Sequence, residues 1–261
     1  PENTKNLREF HNWIKKELIF QYSSKINAKC LLDLATGRGG DILKWKKAGL
    51  KYINAIDSDH GSIYEQEKFA GAIKRLNDLK YKTYIPKINF WEFSVTDENI
   101  LHSLNNKDKN MSYDIISCQF AFHYFVKDID IVLNLISNKL RPGGYFIGTA
   151  SDGDLIKNNL ENGDINLPIL NIIKDDNGDK YIYEMFSGKV QNESYFDYKG
   201  AITEYFLHKD FIEKKCKEYK LELVSMQNFH EWYKDYKGYK LSIQEMVASF
   251  LNFTFVFKNI L

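Results

Sequence analysis

A chain of 261 residues, 44% hydrophobic and 27% charged, suits one large α/β unit with an insertion, or two small units. Lys and Arg number 36 against 35 Asp and Glu, so the net charge is near +1 and excludes bulk electrostatic attraction to nucleic acid. Any basic groove must be local.

Aromatic residues are frequent (17 Tyr, 18 Phe, 4 Trp), enough for a large aromatic core with some surface left for stacking. Cys30, Cys118 and Cys216 lie in apolar or helical contexts without metal-ligand spacing. They read as reduced, intracellular packing residues, and no metal is expected. The sequence shows no signal-peptide pattern and no apolar run of membrane-spanning length, so no membrane partner is expected. It opens on Pro1 rather than Met, which suggests a fragment of a longer polypeptide.

Residues 4–22 carry Leu7, Phe10, Ile14 and Leu18 at helical spacing, predicting an amphipathic helix. A strand and tight loop follow over 29–40, then a helix over 41–48 closed by Gly49. The next strand is 51–57, and Asp59 can cap a long helix reaching about residue 79. A third strand spans 87–95, a polar loop 105–111, and a fourth strand 113–118. A helix over 128–140 is stopped by Arg141-Pro142-Gly143-Gly144, and a fifth strand covers 145–149. Five strand–helix alternations are the pattern of a doubly wound parallel sheet, with ligands at the C-terminal strand ends.

Beyond Asp152 the pattern changes. Polar stretches at 158–166 and 175–179 precede short strands at 181–186 and 194–198. A helix at 209–219, a strand at 221–226, a helix at 241–250 and a strand at 253–257 complete the chain. No linker demands two independent units. The expected organisation is one domain over 1–261. Its parts are an N-terminal helix (1–28), a cofactor-binding half (29–150), and an insertion with a sheet-completing part (151–261). Residues 160–200 read as an insertion over the ligand face.

The most informative stretch is Cys30 to Asp41, an apolar strand bearing one acid, then a glycine-rich turn into a helix. Glycines let backbone N–H groups approach a ligand closely. Alone, such a turn can simply connect a strand to a helix. Asp57, twenty residues after Gly37, ends the second strand where nucleotide folds place a ribose-binding acid. Gly37, Gly39 and Gly40 are spaced wrongly for a pyrophosphate fingerprint, so an adenosine-type ligand fits better than NAD.

Four segments carry a family resemblance: Phe10-His11-Asn12-Trp13-Ile14-Lys15, the loop Asp33 to Trp45, Ser117-Cys118-Gln119-Phe120-Ala121-Phe122-His123-Tyr124, and Arg141 to Thr149. Together the chain resembles the mRNA cap (guanine-N7) methyltransferases, most strongly over 10–150. The resemblance implies the class I S-adenosylmethionine-dependent methyltransferase fold. That fold is Rossmann-like, with a mostly parallel seven-stranded sheet, here with an inserted β-rich segment over the ligand face. It implies methyl transfer from S-adenosylmethionine to guanine N7 of a GpppN cap, by in-line displacement with no general base.

For the cofactor, the resemblance implies Lys15 on the methionine carboxylate and Asp33 orienting the loop or touching the amino group. Ala35 and Gly37 would give close backbone approach, and Asp57 would hold the ribose hydroxyls. Ser94 and Val95 fall on the adenine side, Gln119 at the methionine end, and Tyr124 at the border with the cap. For the cap, it implies His11 or Asn12, Phe120, His123, Tyr124 and Glu204 around guanine, and Arg38 near the phosphates. Asn252 falls where the family has a cap-contacting Tyr. No residue is assigned as an acid–base catalyst. Three departures stand out: Ala35-Thr36 for a usual Gly-Cys or Gly-Ser, Ser94-Val95 for Asp-Ser, and Asn252 for Tyr.

The expected partner is a capped RNA 5′ end. Fusion to, or association with, RNA triphosphatase and guanylyltransferase is also expected, as in capping enzymes of large DNA viruses. Location follows: host cytoplasm or virion if viral, nucleus if cellular. Two alternatives stay open at this point. One is a non-catalytic or partner-stimulated cofactor-fold module. The other is a methyltransferase of the same fold with another RNA or a small molecule as substrate.

Overall fold

The computed structural model describes residues 4–67, 70–175, 178–186 and 201–261. In chain order the elements begin with helix α1 (Lys5–Lys25), strand β1 (Cys30–Leu34), α2 (Ile42–Lys47) and β2 (Tyr52–Asp57). Next come α3 (His60–Tyr64), α4 (Ala72–Lys80), β3 (Lys87–Glu92), α5 (Ile100–Asp108) and β4 (Tyr113–Gln119). A 3-10 turn (Phe122–Asp128) leads into α6 (Ile129–Lys139), β5 (Leu140–Ser151) and α7 (Gly153–Leu160). Strands β6 (Ile165–Leu167), β7 (Leu170–Lys174), β8 (Lys180–Met185) and β9 (Ile202–Tyr205) follow. The chain closes with α8 (Lys209–Glu218), β10 (Leu221–Asn228), α9 (Phe229–Tyr233), α10 (Ile243–Phe250) and β11 (Asn252–Asn259).

Seven strands form one sheet in the order β10-β11-β5-β4-β1-β2-β3. Strands β1 to β5 run parallel, and β11 joins β5 antiparallel. Strand residues alternate between two buried faces. Leu32, Leu34, Ile56, Ile116 and Phe146 pack on one side, and Leu31, Ile53, Ile115 and Ile147 on the other. A second, antiparallel sheet runs β6-β7-β8-β9. Helix α1 connects the layers: Leu18, Ile19 and Tyr22 pack on the large sheet, while Leu7, Phe10 and Ile14 join a third core with Leu170, Tyr181 and Phe229.

Four expectations are corrected. Asp59 caps only the short α3, through Ser62 N at 2.6 Å, and α4 is separate. Glu65 turns out of the helix at ψ 132°, and Gly71 then packs so closely on α3 that a Cβ there would lie 2.7 Å from Ile63 O and 2.8 Å from Glu65 N. Part of the expected polar loop 105–111 belongs to α5, whose Ile100 and Leu104 are buried one turn apart. Residues Arg141 to Gly144 lie inside β5 as a bulge opposite Asp114, whose carboxylate binds Arg141. Helix α7 occupies the start of the expected polar stretch, capped by Asp152 accepting from Leu155 N. The expected strand 194–198 lies outside the described residues. Among the described residues no helix is long and apolar enough to cross a membrane.

Candidate functional site

The C-terminal ends of β1, β2 and β4 meet at one edge of the large sheet. After β1, Ala35 and Gly37 both take left-handed backbone angles, φ 57° and 53°. Thr36 N donates to Ile56 O at 2.9 Å, tying the loop to β2. Gly37 N donates to Asp57 Oδ2 at 2.6 Å, and Asp59 N donates to Asp57 Oδ1 at 2.9 Å. Asp57 thus staples two loops together. Burial pushes its carboxyl up, outweighing those backbone donors.

Beside Asp57 opens a cavity of about 370 Å³. Ala35, Ser94, Val95 and Gln119 line it, with Ser58, Asp59 and Phe93. The Gln119 carboxamide is fixed: its oxygen accepts from Thr149 Oγ1 at 3.2 Å and its nitrogen donates to Ser117 Oγ at 3.1 Å. Ser94 Oγ is 2.9 Å from Thr96 Oγ1.

A second cavity of about 150 Å³ lies between α1, the start of the 3-10 turn and the small sheet. Its lining includes His11, Asn12, His123, Glu204 and Asn252. Phe120 and Tyr124 line both cavities. Phe120 sits at φ 56°, an unfavourable angle for a bulky residue. Its N–H is anchored to Thr149 O and Oγ1 at 2.9 and 3.0 Å, which holds the ring at the junction. His11 stacks on that ring at 5.1 Å and 21°. Its Nε2 meets Ser249 Oγ at 2.8 Å. Burial, with the Lys15 charge, lowers the His11 pKa to about 3, so the imidazole is neutral.

Glu204 is the buried charge of this cavity. Its Oε1 accepts from Tyr124 OH at 3.0 Å, and its Oε2 accepts from Tyr181 OH at 2.6 Å and Ser151 Oγ at 3.2 Å. His123 Nε2 lies 3.3 Å from Oε1. Burial alone would raise the carboxyl, but His123 and the tyrosine hydroxyls hold it below the ordinary range. A carboxylate is an acceptor only, suited to a ligand edge with N–H donors.

Below the glycine loop, Asp41 is clamped by Lys15 at 2.8 Å and Lys44 at 2.7 Å. Burial opposes ionisation there, yet the two lysines hold its carboxyl at about 2. Asp33 is the opposite case. Burial, then the Asp41 charge, push it to about 7, and its Oδ1 has no hydrogen-bond partner.

Of the residues expected on the cofactor, Ala35, Asp57, Ser94, Val95, Gln119 and Tyr124 come together at the larger cavity. Lys15 does not: it lines the smaller cavity, its ammonium drawn to Asp41. Asp33 lies under the loop, and Gly37 contributes its N–H to Asp57 rather than a wall. The expected cap residues His11, Asn12, Phe120, His123, Tyr124, Glu204 and Asn252 share the smaller cavity. Arg38 lines neither, because it lies beyond Gly37 in the turn toward α2. Asn252 donates to Ala248 O and Ser249 O, closing the end of α10, so its amide is partly committed.

The sequence reading missed Arg8, Ser151, Tyr183 and Met185 in the smaller cavity. Residues 8, 11, 12 and 15 form one helical face, a signal that could have found Arg8. Cys118 and Cys216 are buried and burial raises both thiols, which makes them inert. Among the described residues no cluster of three or more His, Cys, Asp or Glu could hold a metal.

Residues 3–251 match the family described as mRNA (guanine-N(7))-methyltransferase domain. The chain is 28% identical over 248 residues to the mRNA cap guanine-N(7) methyltransferase of Drosophila melanogaster, covering 88% of this chain and 56% of that one. It is 32% identical over 241 residues to mRNA cap guanine-N(7) methyltransferase 1 of Arabidopsis thaliana, covering 88% and 63%. It is 28% identical over 277 residues to a probable mRNA-capping enzyme of Acanthamoeba polyphaga mimivirus, covering 91% and 23%. The chain therefore spans less than two thirds of each of these relatives.

Among solved structures it is similar to an S-adenosylmethionine-dependent methyltransferase from Clostridium acetobutylicum (TM-score 0.60, 18% identity, 93% and 89% covered). The CcbJ methyltransferase from Streptomyces caelestis is also similar (TM-score 0.60, 11% identity, 95% and 90% covered). At such identities the likeness is one of fold, and the fold is that of S-adenosylmethionine-dependent methyltransferases.

Proposed function

The chain belongs to the mRNA (guanine-N7)-methyltransferase family, and on that footing we propose that it methylates guanine N7 of a GpppN cap, with S-adenosylmethionine as donor. The observation that carries this reading is the meeting of two unlike cavities at Phe120 and Tyr124. One is edged by the acid that ends β2. The other is walled by aromatics around a buried carboxylate.

The larger cavity fits the cofactor. Asp57 stands where ribose hydroxyls need an acceptor, Ser94 and Val95 offer the adenine side, and Gln119 and Ala35 the methionine end. The unpartnered Asp33 Oδ1 fits a cationic amino group nearby. Bound there, S-adenosylmethionine supplies a methyl group already activated by its sulfonium.

The residues of the smaller cavity then bind and orient. Glu204 accepts from the N1–H and N2–H edge of guanine, exchanging hydroxyl partners for base donors. Phe120 and Tyr124 offer aromatic faces to the base. Neutral His11 adds a flat surface without competing positive charge. Guanine N7 has a free lone pair and no proton to lose, so no residue is needed as base. Catalysis by these side chains is orientation, holding N7 toward the shared wall.

The partners we propose are a capped RNA 5′ end together with RNA triphosphatase and guanylyltransferase activities, fused or associated. The much longer mimivirus relative supports this. Location follows that machinery, in host cytoplasm or virion if viral, and in the nucleus if cellular. Residues 1–261 would act as one methyltransferase domain.

Digesting GpppA-capped RNA after incubation with labelled cofactor tests the assignment. Label is expected in 7-methylguanosine. Label in a 2′-O-methyl nucleoside would refute it.

A further inference from the structure

A third cavity lies on the edge of the large sheet, away from the shared wall. It holds about 230 Å³ between β2, the edge strand β3 and the C-terminal end of α5. That is below the usual range for a drug-sized ligand and suits one flat ring. Asn54 and Asn89 are paired in register there, where a parallel sheet ordinarily buries apolar side chains.

The amides belong to a buried relay. Asn89 Nδ2 donates to Asn54 Oδ1 at 2.8 Å, and Asn54 Nδ2 donates to Tyr113 OH at 2.7 Å. Tyr113 OH donates to Asp108 Oδ2 at 2.7 Å, and Asp108 is paired with buried Lys139 at 2.7 Å. The relay fixes the Asn89 carboxamide and consumes the Asp108 charge. Asn89 keeps its carbonyl oxygen and one N–H for the cavity, an acceptor–donor pair of the kind that reads a base edge.

The walls and rim complete the chemistry. Tyr52, half exposed, and Trp91 provide aromatic surface. Lys87, Lys107 and Lys109 stand exposed at the mouth. Among the described residues, none of the three is held in an ion pair. Lys109 (φ 55°) and Asn110 (φ 58°) are both left-handed and end α5, which brings Lys107 and Lys109 to the same rim.

We propose that this cleft binds a nucleotide, its base between Tyr52, Trp91 and Asn89 and its phosphate on Lys87, Lys107 and Lys109. Stacking and a bidentate amide recognise the base, while ammonium groups neutralise the phosphate. The site does not rest on the methyltransferase reading. Asn54 lies three residues before Asp57, about 10 Å along the strand. The cleft adjoins the larger cavity through Trp91, whose ring centroid is 6.5 Å from that of Phe93, a residue lining that cavity. The same chemistry could be met by a free nucleotide or by a residue within an RNA chain.

The test is titration of the full chain with 5′-AMP and with a short uncapped RNA, each in excess S-adenosylhomocysteine and cap analogue. Binding should persist with those ligands present. The double variant K107E/K109E should weaken it at least about tenfold and reduce its salt dependence. Asn89→Ala should weaken AMP binding about tenfold. Both variants should keep S-adenosylhomocysteine binding, which shows that they fold. Binding of AMP would identify a free-nucleotide site, and binding of the RNA alone would identify a contact along the transcript. No binding of either probe, or binding untouched by both variants, would overturn the proposal. So would inorganic pyrophosphate binding as tightly as AMP with no effect of Asn89→Ala. If S-adenosylhomocysteine and cap analogue themselves fail to bind wild type, the methyltransferase reading fails. The AMP titration of K107E/K109E, with circular dichroism as the folding control, would still decide this site.

Discussion

Tyr124 OH donates to Glu204 Oε1 at 3.0 Å, and this bond joins a residue shared by both cavities to the buried carboxylate of one. It helps aim Glu204, whose carboxyl, against the opposing effect of burial, His123 and the Tyr181 and Tyr124 hydroxyls hold below the ordinary range, so the acceptor is set before any ligand arrives. Glu204→Ala should therefore weaken cap-analogue binding by about 1–3 kcal/mol, since it removes charged hydrogen bonds. Cofactor binding should be largely kept. The variant also strands the hydroxyls of Tyr124, Ser151 and Tyr181, so Glu204→Gln separates binding from packing. Calorimetric titration with GpppG and with S-adenosylhomocysteine reads both.

Asp57→Ala should do the reverse. It removes the proposed ribose acceptor and also leaves Gly37 N–H and Asp59 N–H without their carboxylate. Cofactor affinity should fall by about 1–3 kcal/mol with cap-analogue binding little changed. If both variants affect only the cofactor, the guanine site is misplaced.

Ala35 holds a left-handed backbone at the cofactor wall, at a cost of about 1–2 kcal/mol for an L-residue. Ala35→Gly relieves that strain and removes a Cβ from the wall, against a smaller entropic cost of glycine. The melting temperature should not fall, and cofactor affinity should rise a few-fold. A lower affinity would show that the Cβ is a contact rather than an obstruction.

Asp33 carries a pH signature. Its folded pKa of about 7 lies above its ordinary 3.8, so the native state holds a proton that the unfolded chain releases across that window. That contribution is full below 3.8, declines as pH rises and is gone above about 7. Asp33→Asn should flatten the loss of stability between pH 5 and 8 seen by thermal melts. Because a bound amino group would favour ionised Asp33, wild-type cofactor affinity should rise through the same range. The variant should lose that rise.

The large sheet was legible because its strands are short apolar runs separated by turns, as in Tyr113 to Cys118. Helix α5 was obscured because Asn105 and Asp108, which look like loop residues, are anchors for buried Lys139. The break before α4 was hidden because the chain leaves α3 at Glu65 and packs Gly71 back against Ile63, a contact outside any periodicity. Asp57 and the glycine loop were readable from local spacing. Glu204 was not: its place beside His123 comes from pairing β9 with β8, far in sequence from the 3-10 turn, and only family resemblance pointed to it. Tyr181 and Ser151 carried no local mark, since their role is to hold a carboxylate that is distant in sequence.

The most direct measurement compares methyl transfer from labelled S-adenosylmethionine to GpppA-capped and m7GpppA-capped RNA. Label is predicted on the first and none on the second, whose N7 is already occupied. Equal labelling of both would contradict the account.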